Sequence, residues 1–240
     1  MRPGVKNQLL QRLADEDFAA LKPLLSEEEL TESQVLSVSL EVIEKVHFIE
    51  SGICSVQAVA PGSEAIEVGL IGREGVTGHV MEEGDSAALN VFVQLAGSSL
   101  AVPAKDYASW IRDRPKALRL MVRYQQAMIT QVSFTALSHG SFGVEQRLAR
   151  LLLMLFDRMD GGDGGELALV HDRLARMLSV RRAGVTTALH MLEGAGAIRS
   201  TRGAITLKDR AALEEMSAGA YGIPEQEYKR LLGPPSTIQQ

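Results

Sequence analysis

The chain has 240 residues, 45% of them hydrophobic and 23% charged, with a net charge of −5, which supports one large or two ordinary folded domains and excludes a mostly disordered chain. The one cysteine, Cys54, excludes an intramolecular disulfide and an all-cysteine zinc or iron–sulfur site. No window approaches the roughly 18 apolar residues of a membrane span, and the N-terminus has no apolar run of signal-peptide length, so a cytoplasmic location is expected.

Residues 6–25 (KNQLLQRLADEDFAALKPLL) place Leu9, Leu10, Leu13, Phe18, Leu21 and Leu25 at mostly three- and four-residue spacings. This predicts two short amphipathic helices broken near Asp15. From about Leu30 to Pro103 the texture changes to short β-prone runs such as VHFIESGICSVQAVA, IEVGLIG and LNVFVQLA between Gly, Pro, Ser and acidic residues. Many short strands with frequent turn signals predict an all-β barrel or roll.

Helical periodicity returns near Tyr107 and strengthens after Pro115. Leu118, Met121, Gln125, Met128, Val132 and Thr135 alternate spacings of three and four, with Val122, Ile129 and Ala136 beside them. Such a stripe could pack a long helix on its own β-roll. The 3.5-residue repeat favours a two-stranded dimer seam, with Gln125 as a register-setting polar position. His139-Gly140-Ser141 ends this helix, and VEQRLARLLLMLFDRM predicts another over 144–159, followed by a GGDGG loop at 161–165. After Arg210, ALEEMSAGAYG is helical and then gives way to a polar tail with two prolines at 234–235.

Residues 170–193 (VHDRLARMLSVRRAGVTTALHMLE) carry the most specific pattern. Leu174, Ala175 and Leu178 form the inner face of a short helix, and Ser179-Val180 makes a tight turn. A second helix then points Val185, Leu189 and Leu192 inward. A small residue such as Ala175 is what two helices crossing at a short turn require. The outer face of the second helix shows Arg181, Arg182, Ala183, Thr186, Thr187 and His190, residue types that reach base edges and phosphates. AGAIRSTRGAITLKD reads as a β-wing carrying Arg199 and Arg202. Between His171 and Arg210 there are eight Lys/Arg against three Asp/Glu, so a basic segment sits on an acidic body. The expected partner is double-stranded DNA. A solvated helix face, or a helix-turn-helix docking protein, is the alternative reading.

With these segments in order the chain resembles the Crp–Fnr family of bacterial transcription regulators. The matches are FIESGICSVQAV, EVGLIGREGVTG, EQRLARLLL, the block LARMLSVRRAGVTTALHMLEGAGAIRSTRGAITLKD and the tail EYKRLLG. The implied fold class is α+β. An N-terminal antiparallel β-roll (double-stranded β-helix of cyclic-nucleotide-binding type) precedes a long dimerisation helix and a C-terminal winged helix-turn-helix. Expected boundaries are 1–28 for N-terminal helices, 29–106 for the roll, 107–140 for the dimerisation helix, 141–222 for the DNA-binding domain and 223–240 for the tail. The resemblance implies a homodimer with two reading helices about one DNA turn apart on an inverted repeat. It also implies an effector site in the roll, and RNA polymerase as a further partner.

Three departures shape these expectations. Gly72, Glu74 and Gly75 match the first half of a cyclic-nucleotide site, but the family's phosphate-binding arginine falls near Ala88, and residues 74–102 contain no Lys or Arg. A buried phosphate would lack a cationic partner, which argues against cyclic AMP and cyclic GMP. A haem sensor stays open, with His47, His79 or His139 as axial ligand. Otherwise no cofactor is expected, and the scattered histidines argue against a metal site or an enzyme on this roll. On the reading helix the family's glutamate and arginine are replaced by Ala183 and Thr187. Val170 stands at a usual Thr or Ser cap, and Ser179 at a usual turn glycine.

Overall fold

The computed structural model describes residues 2–60, 62, 65–159 and 164–233. Parts of the expected GGDGG loop and of the C-terminal tail lie outside the described residues. Helices α1 (Gln8–Arg12) and α2 (Asp15–Leu21) are separated at Leu13 and Ala14, and a 3-10 turn follows at Lys22–Leu24. Asn7 caps α1 through Oδ1, which accepts from the amides of Leu9 and Leu10, while its Nδ2 donates to the carbonyls of Ile49 and Gly75. The N-terminal helices are thereby tied to the sheet. Asp15, Glu16 and Asp17 fill the first turn of α2, where negative charge suits the helix dipole.

Six strands follow: β1 (Ser26–Leu30), β2 (Val35–Ser37), β3 (Lys45–Ala58), β4 (Ile66–Ile71), β5 (Val76–Thr77) and β6 (Asn90–Pro103). Their antiparallel order is β1-β6-β3-β4, with β2 on β6 and β5 on β3, so the roll is an open sheet that does not close. The long pair β3 and β6 runs from Lys45 opposite Pro103 to Gln57 opposite Asn90, with register shifts between Ile49 and Cys54. Glycine is required at this bend. A Cβ on Gly97 would stand 2.1 Å from the Ser51 carbonyl oxygen, and Gly52 adopts φ +80°. The bend lets one strand pair serve both halves of the roll.

Helix α3 (Ala104–Arg112) is broken from α4 (Pro115–Ser141) at Asp113 and Arg114, because the residue before proline avoids the helical region. Buried residues of α4 are Ala117, Met121, Tyr124, Ala127, Gln131, Thr135 and Ser138. Gln131 fastens this face to the sheet: its Oε1 accepts from the Leu70 amide at 2.6 Å and its Nε2 donates to the Leu70 carbonyl at 3.2 Å. Two residues expected in the dimer seam, Met121 and Thr135, are therefore buried within their own protomer, and Met128 is half-buried beside them. The opposite face exposes Val122 (56%) and Ile129 (66%), with Leu118, Gln125 and Val132 half-exposed along the same stripe.

The C-terminal half contains α5 (Val144–Arg158), β7 (Glu166–Leu167), α6 (His171–Leu178), α7 (Arg182–Gly194), β8 (Ile198–Thr201), β9 (Ala204–Leu207) and α8 (Arg210–Met216). Its core surrounds Leu148, Leu152, Phe156, Leu174, Val185, Leu189 and Ile205, and reaches Ile53 and Leu70 of the sheet. The segment expected as a tail departs from that expectation, because Ile223–Leu232 forms a helix, α9. Pro224, Tyr228, Leu231 and Leu232 lie on one face of it, and the last three join the core around α1 and α4.

Glu67 on β4 is buried at the junction of the sheet, α4 and α5. Its Oε2 accepts from the Ser55 hydroxyl at 2.6 Å, Gln94 lies across Ser55, and Arg150 approaches from α5. Burial pushes the Glu67 carboxyl up from 4.5 to about 8, against the Ser55 hydrogen bond and the Arg150 charge. The folded chain then holds a proton that the unfolded chain has released, so its contribution to stability is full below about pH 4.5 and declines as pH rises towards 8. The slope is at most about 1.4 kcal/mol per pH unit. Glu67→Gln, which keeps the hydrogen bond without the charge, is expected to flatten the decline and to exceed the wild type in melting temperature at pH 8. Parallel melting curves against pH for the two proteins would remove Glu67 from this role.

Candidate nucleic-acid interface

Helices α6 and α7 meet at Ser179, which adopts the left-handed conformation with φ 51°. The Val180 amide closes the turn by donating to the Ala175 carbonyl at 3.0 Å. Serine in this conformation carries strain that glycine would not. Leu174, Ala175 and Leu178 on α6 and Val185, Leu189 and Leu192 on α7 are all buried, so the two helices pack through the faces their spacing predicts. Val170 precedes α6 without a side-chain cap.

Because that packing fixes the phase of α7, its other side points outward. Arg181, Arg182, Ala183, Thr187 and His190 are exposed, and Thr186 is partly covered by His171, whose Nδ1 lies 3.1 Å from its hydroxyl. Both threonine hydroxyls donate to carbonyls one turn back, Thr186 to Arg182 and Thr187 to Ala183. Each therefore offers a methyl group and an oxygen lone pair to whatever meets the helix. Arg182 stands 3.4 Å from Asp172, both well exposed, so the pair is screened and worth little to stability. Strands β8 and β9 form a hairpin with Arg202 and Gly203 at its tip, where Gly203 takes φ +84°. Arg199 and Arg202 are exposed on this wing, and Ile198 and Ile205 are buried under it.

Not every basic residue of the segment faces outward. Arg173 donates to the Gln94 carbonyl at 3.0 Å and is ion-paired with Glu32, which docks α6 on the sheet. Arg210 is held by Asp157 at 2.6 Å and by the Tyr221 hydroxyl at 2.7 Å. Arg147 of α5 reaches the Leu178 carbonyl and His139 Nδ1, bracing the end of α6. These docking contacts join residues far apart in sequence and carry no local signal. Arg176, exposed on the last turn of α6, was legible: with Leu174, Ala175 and Leu178 inward, position 176 must face out.

The sheet and α4 enclose a cavity of about 500 Å³. Its walls are mainly apolar, among them Val56, Ile71, Val76, Val91 and Ile129, and no Lys or Arg lines it. His79 borders it with Nδ1 2.7 Å from the Tyr107 hydroxyl, and burial lowers its pKa, which keeps the imidazole neutral. Gly72, Glu74 and Gly75, expected to touch an effector, lie outside these walls. Glu74 is instead ion-paired with Arg158 Nε at 2.7 Å, with little of either side chain exposed. Gly75 leaves room for Tyr124, since a Cβ there would stand 2.2 Å from the Tyr124 hydroxyl oxygen.

The three candidate haem histidines occupy separate places. His47 is buried against Ser99, His79 faces Tyr107 and His139 meets Arg147. Among the described residues no three His, Cys, Asp or Glu side chains are grouped to hold a metal. Cys54 is buried, which pushes its thiol up to about 12 and leaves it inert. No helix among the described residues is long and apolar enough to cross a membrane.

Residues 146–216 match the family model of the Crp-like helix-turn-helix domain. No curated protein matches the chain. Among solved structures it is similar to FixK2 from Bradyrhizobium japonicum, at 18% identity and a TM-score of 0.69 over 82% of this chain and 99% of that one. A CRP-family transcriptional regulator from Thermus thermophilus has 18% identity and a TM-score of 0.64 over 81% and 98%. The c-di-GMP-responsive global regulator CLP from Xanthomonas campestris has 15% identity and a TM-score of 0.63 over 81% and 99%. Residues 146–216 thus form a Crp-like helix-turn-helix domain, and some four-fifths of the chain shares the fold of the solved Crp/Fnr transcription regulators.

Proposed function

We propose that this chain, a transcription regulator of the Crp–Fnr type in domain and fold, acts as a homodimer on an inverted-repeat DNA site. The observation that carries the reading is the outward face at α7: Arg181, Arg182, Thr187 and His190 are exposed in front of a buried helix pair, beside a wing that presents Arg199 and Arg202. Two such helices about 34 Å apart would enter successive major grooves. Arg182 is the main base reader, with guanine as its partner through a bidentate contact, and Arg181, Arg199 and Arg202 hold phosphates. Thr187 and Ala183 replace the family's polar reading pair, so a thymine methyl or a cytosine amine suits this helix better than the usual half-site. The cation-free roll cavity favours an uncharged apolar effector over a cyclic nucleotide. Nothing in this reading calls for catalysis. Such a regulator works where DNA is, in the cytoplasm, and RNA polymerase is its natural further partner.

Selection of bound duplexes from a random pool tests the reading. Enrichment of an inverted repeat supports it. If no sequence is enriched at low salt, the helix-turn-helix is a protein-docking module instead. Arg182→Ala is expected to cost about 1–3 kcal/mol on the preferred site and to relax preference at one base position per half-site. A uniform loss on all sequences would make it a phosphate contact. Arg202→Ala is expected to weaken all sequences alike and to reduce the slope of log K against log salt by roughly 1 per protomer. An unchanged slope would remove Arg202 from the backbone contacts.

A further inference from the structure

A second cavity, of about 560 Å³, lies beside the roll cavity along α4, with Tyr124 and Met128 bordering both. Its volume is within the range of roughly 300–1,000 Å³ typical of small-molecule sites, which favour domain junctions. Gln8, Arg12 and Glu74 come from the sensor half, while Arg158, Tyr228 and Lys229 come from the DNA-binding half and α9. The helix α9 that closes it lies beyond the matched helix-turn-helix domain and is tied at two points to the sensor half. Tyr228 donates its hydroxyl proton to the Glu74 carbonyl at 2.7 Å, and Arg12 donates to the Leu232 carbonyl.

The charges facing this space do not cancel. Arg158 is matched by Glu74 and Arg210 by Asp157. Arg12 and Lys229 have no carboxylate within ion-pair distance among the described residues, and the one further acid on the wall, Glu225, is occupied in capping α9 through the Gly222 amide. Two cations against one carboxylate leave a positive excess at the mouth. Behind it the floor is apolar and aromatic, made by Ala127, Met128, Tyr124 and Pro224. We infer that this cavity binds a small organic anion, a carboxylate or phosphate on a flat or aliphatic body, with Arg12 and Lys229 holding the charge. A ligand there touches both halves of the protein, so its binding is linked to their relative pose.

Calorimetric titration of the full-length chain with 2-naphthoate and 2-naphthyl phosphate, beside neutral 2-naphthamide and 2-naphthol, tests this. Saturable binding of one anion per chain is expected, with the neutral analogues weaker by at least about tenfold. The two anions separate carboxylate from phosphate recognition. Lys229→Gln, at an exposed position that leaves the fold intact, and Arg12→Gln should each weaken binding severalfold. Gln8→Trp should block it, and Ala88→Trp, which fills the roll cavity instead, should leave it unchanged. Absence of saturable binding by both anions overturns the inference. So does equal binding of the neutral analogues, or loss of binding in Ala88→Trp with retention in Gln8→Trp.

Discussion

Replacing Ile129 by Glu is expected to yield a monomer and to lower affinity for an inverted-repeat site by about a hundredfold or more. Ile129 is 66% exposed in the protomer, so the substitution removes nothing from its own core. With Leu118, Val122, Gln125, Val132 and Ala136 it forms a stripe of alternating four- and three-residue spacings on the free face of α4, the geometry two helices need to keep one face together. Two glutamates brought together at a buried seam would face each other unpaired, which such an interface does not tolerate. A monomer then binds one half-site and forfeits the gain of roughly 10²–10⁴ that two linked readers provide. Sedimentation velocity checks the first part and a binding titration the second. Met121→Glu makes the contrast: Met121 is fully buried, so that variant should fail to fold. An Ile129→Glu protein that still sediments as a dimer would move the interface to another surface.

The second large effect is expected at Arg158. Burial lowers its pKa, but the carboxylates of Glu74, Glu225 and Asp157 outweigh this and raise it above its ordinary value, so the guanidinium stays charged in the junction. Arg158→Met would strip Glu74 of its ion-pair partner while Glu74 remains largely covered. Breaking a buried pair from one side typically costs about 3–5 kcal/mol, because the surviving charge is left uncompensated. Glu74→Gln introduced together with Arg158→Met should recover much of that loss. Thermal melts of both single variants and the double variant measure the coupling. If the double variant is no more stable than Arg158→Met alone, the arginine acts through packing and not through its charge.

Much of the helix-turn-helix was legible because its determinants are local. The inward spacing of Leu174, Ala175, Leu178, Val185 and Leu189 fixes the phase of both helices, and the outward positions of Arg182 and Thr187 follow from that phase alone. The break at Asp113 and Arg114 before Pro115 and the wing tip at Gly203 also follow from residue chemistry at single positions, whereas the left-handed turn at Ser179 runs against its residue type. The roll was legible as many short strands. Its open order and the bend at Gly52 and Gly97 were not, because they depend on pairing between distant segments.

Local chemistry along the chain therefore specifies the elements, the outward face of α7 and the lack of a phosphate-binding cation in the roll. Packing between distant segments sets which face of α4 meets its own sheet, through Gln131 on Leu70, and so removes Met121 and Thr135 from the surface a partner could use. It also pairs Glu74 with Arg158, turns Arg173 from one charge of a basic segment into a docking contact, and makes the expected tail the wall of a second cavity. One cause is common to all four. Periodicity says that a face is buried but not against what, and a charged side chain is equally compatible with water, a phosphate or a carboxylate until the fold brings one of them within reach.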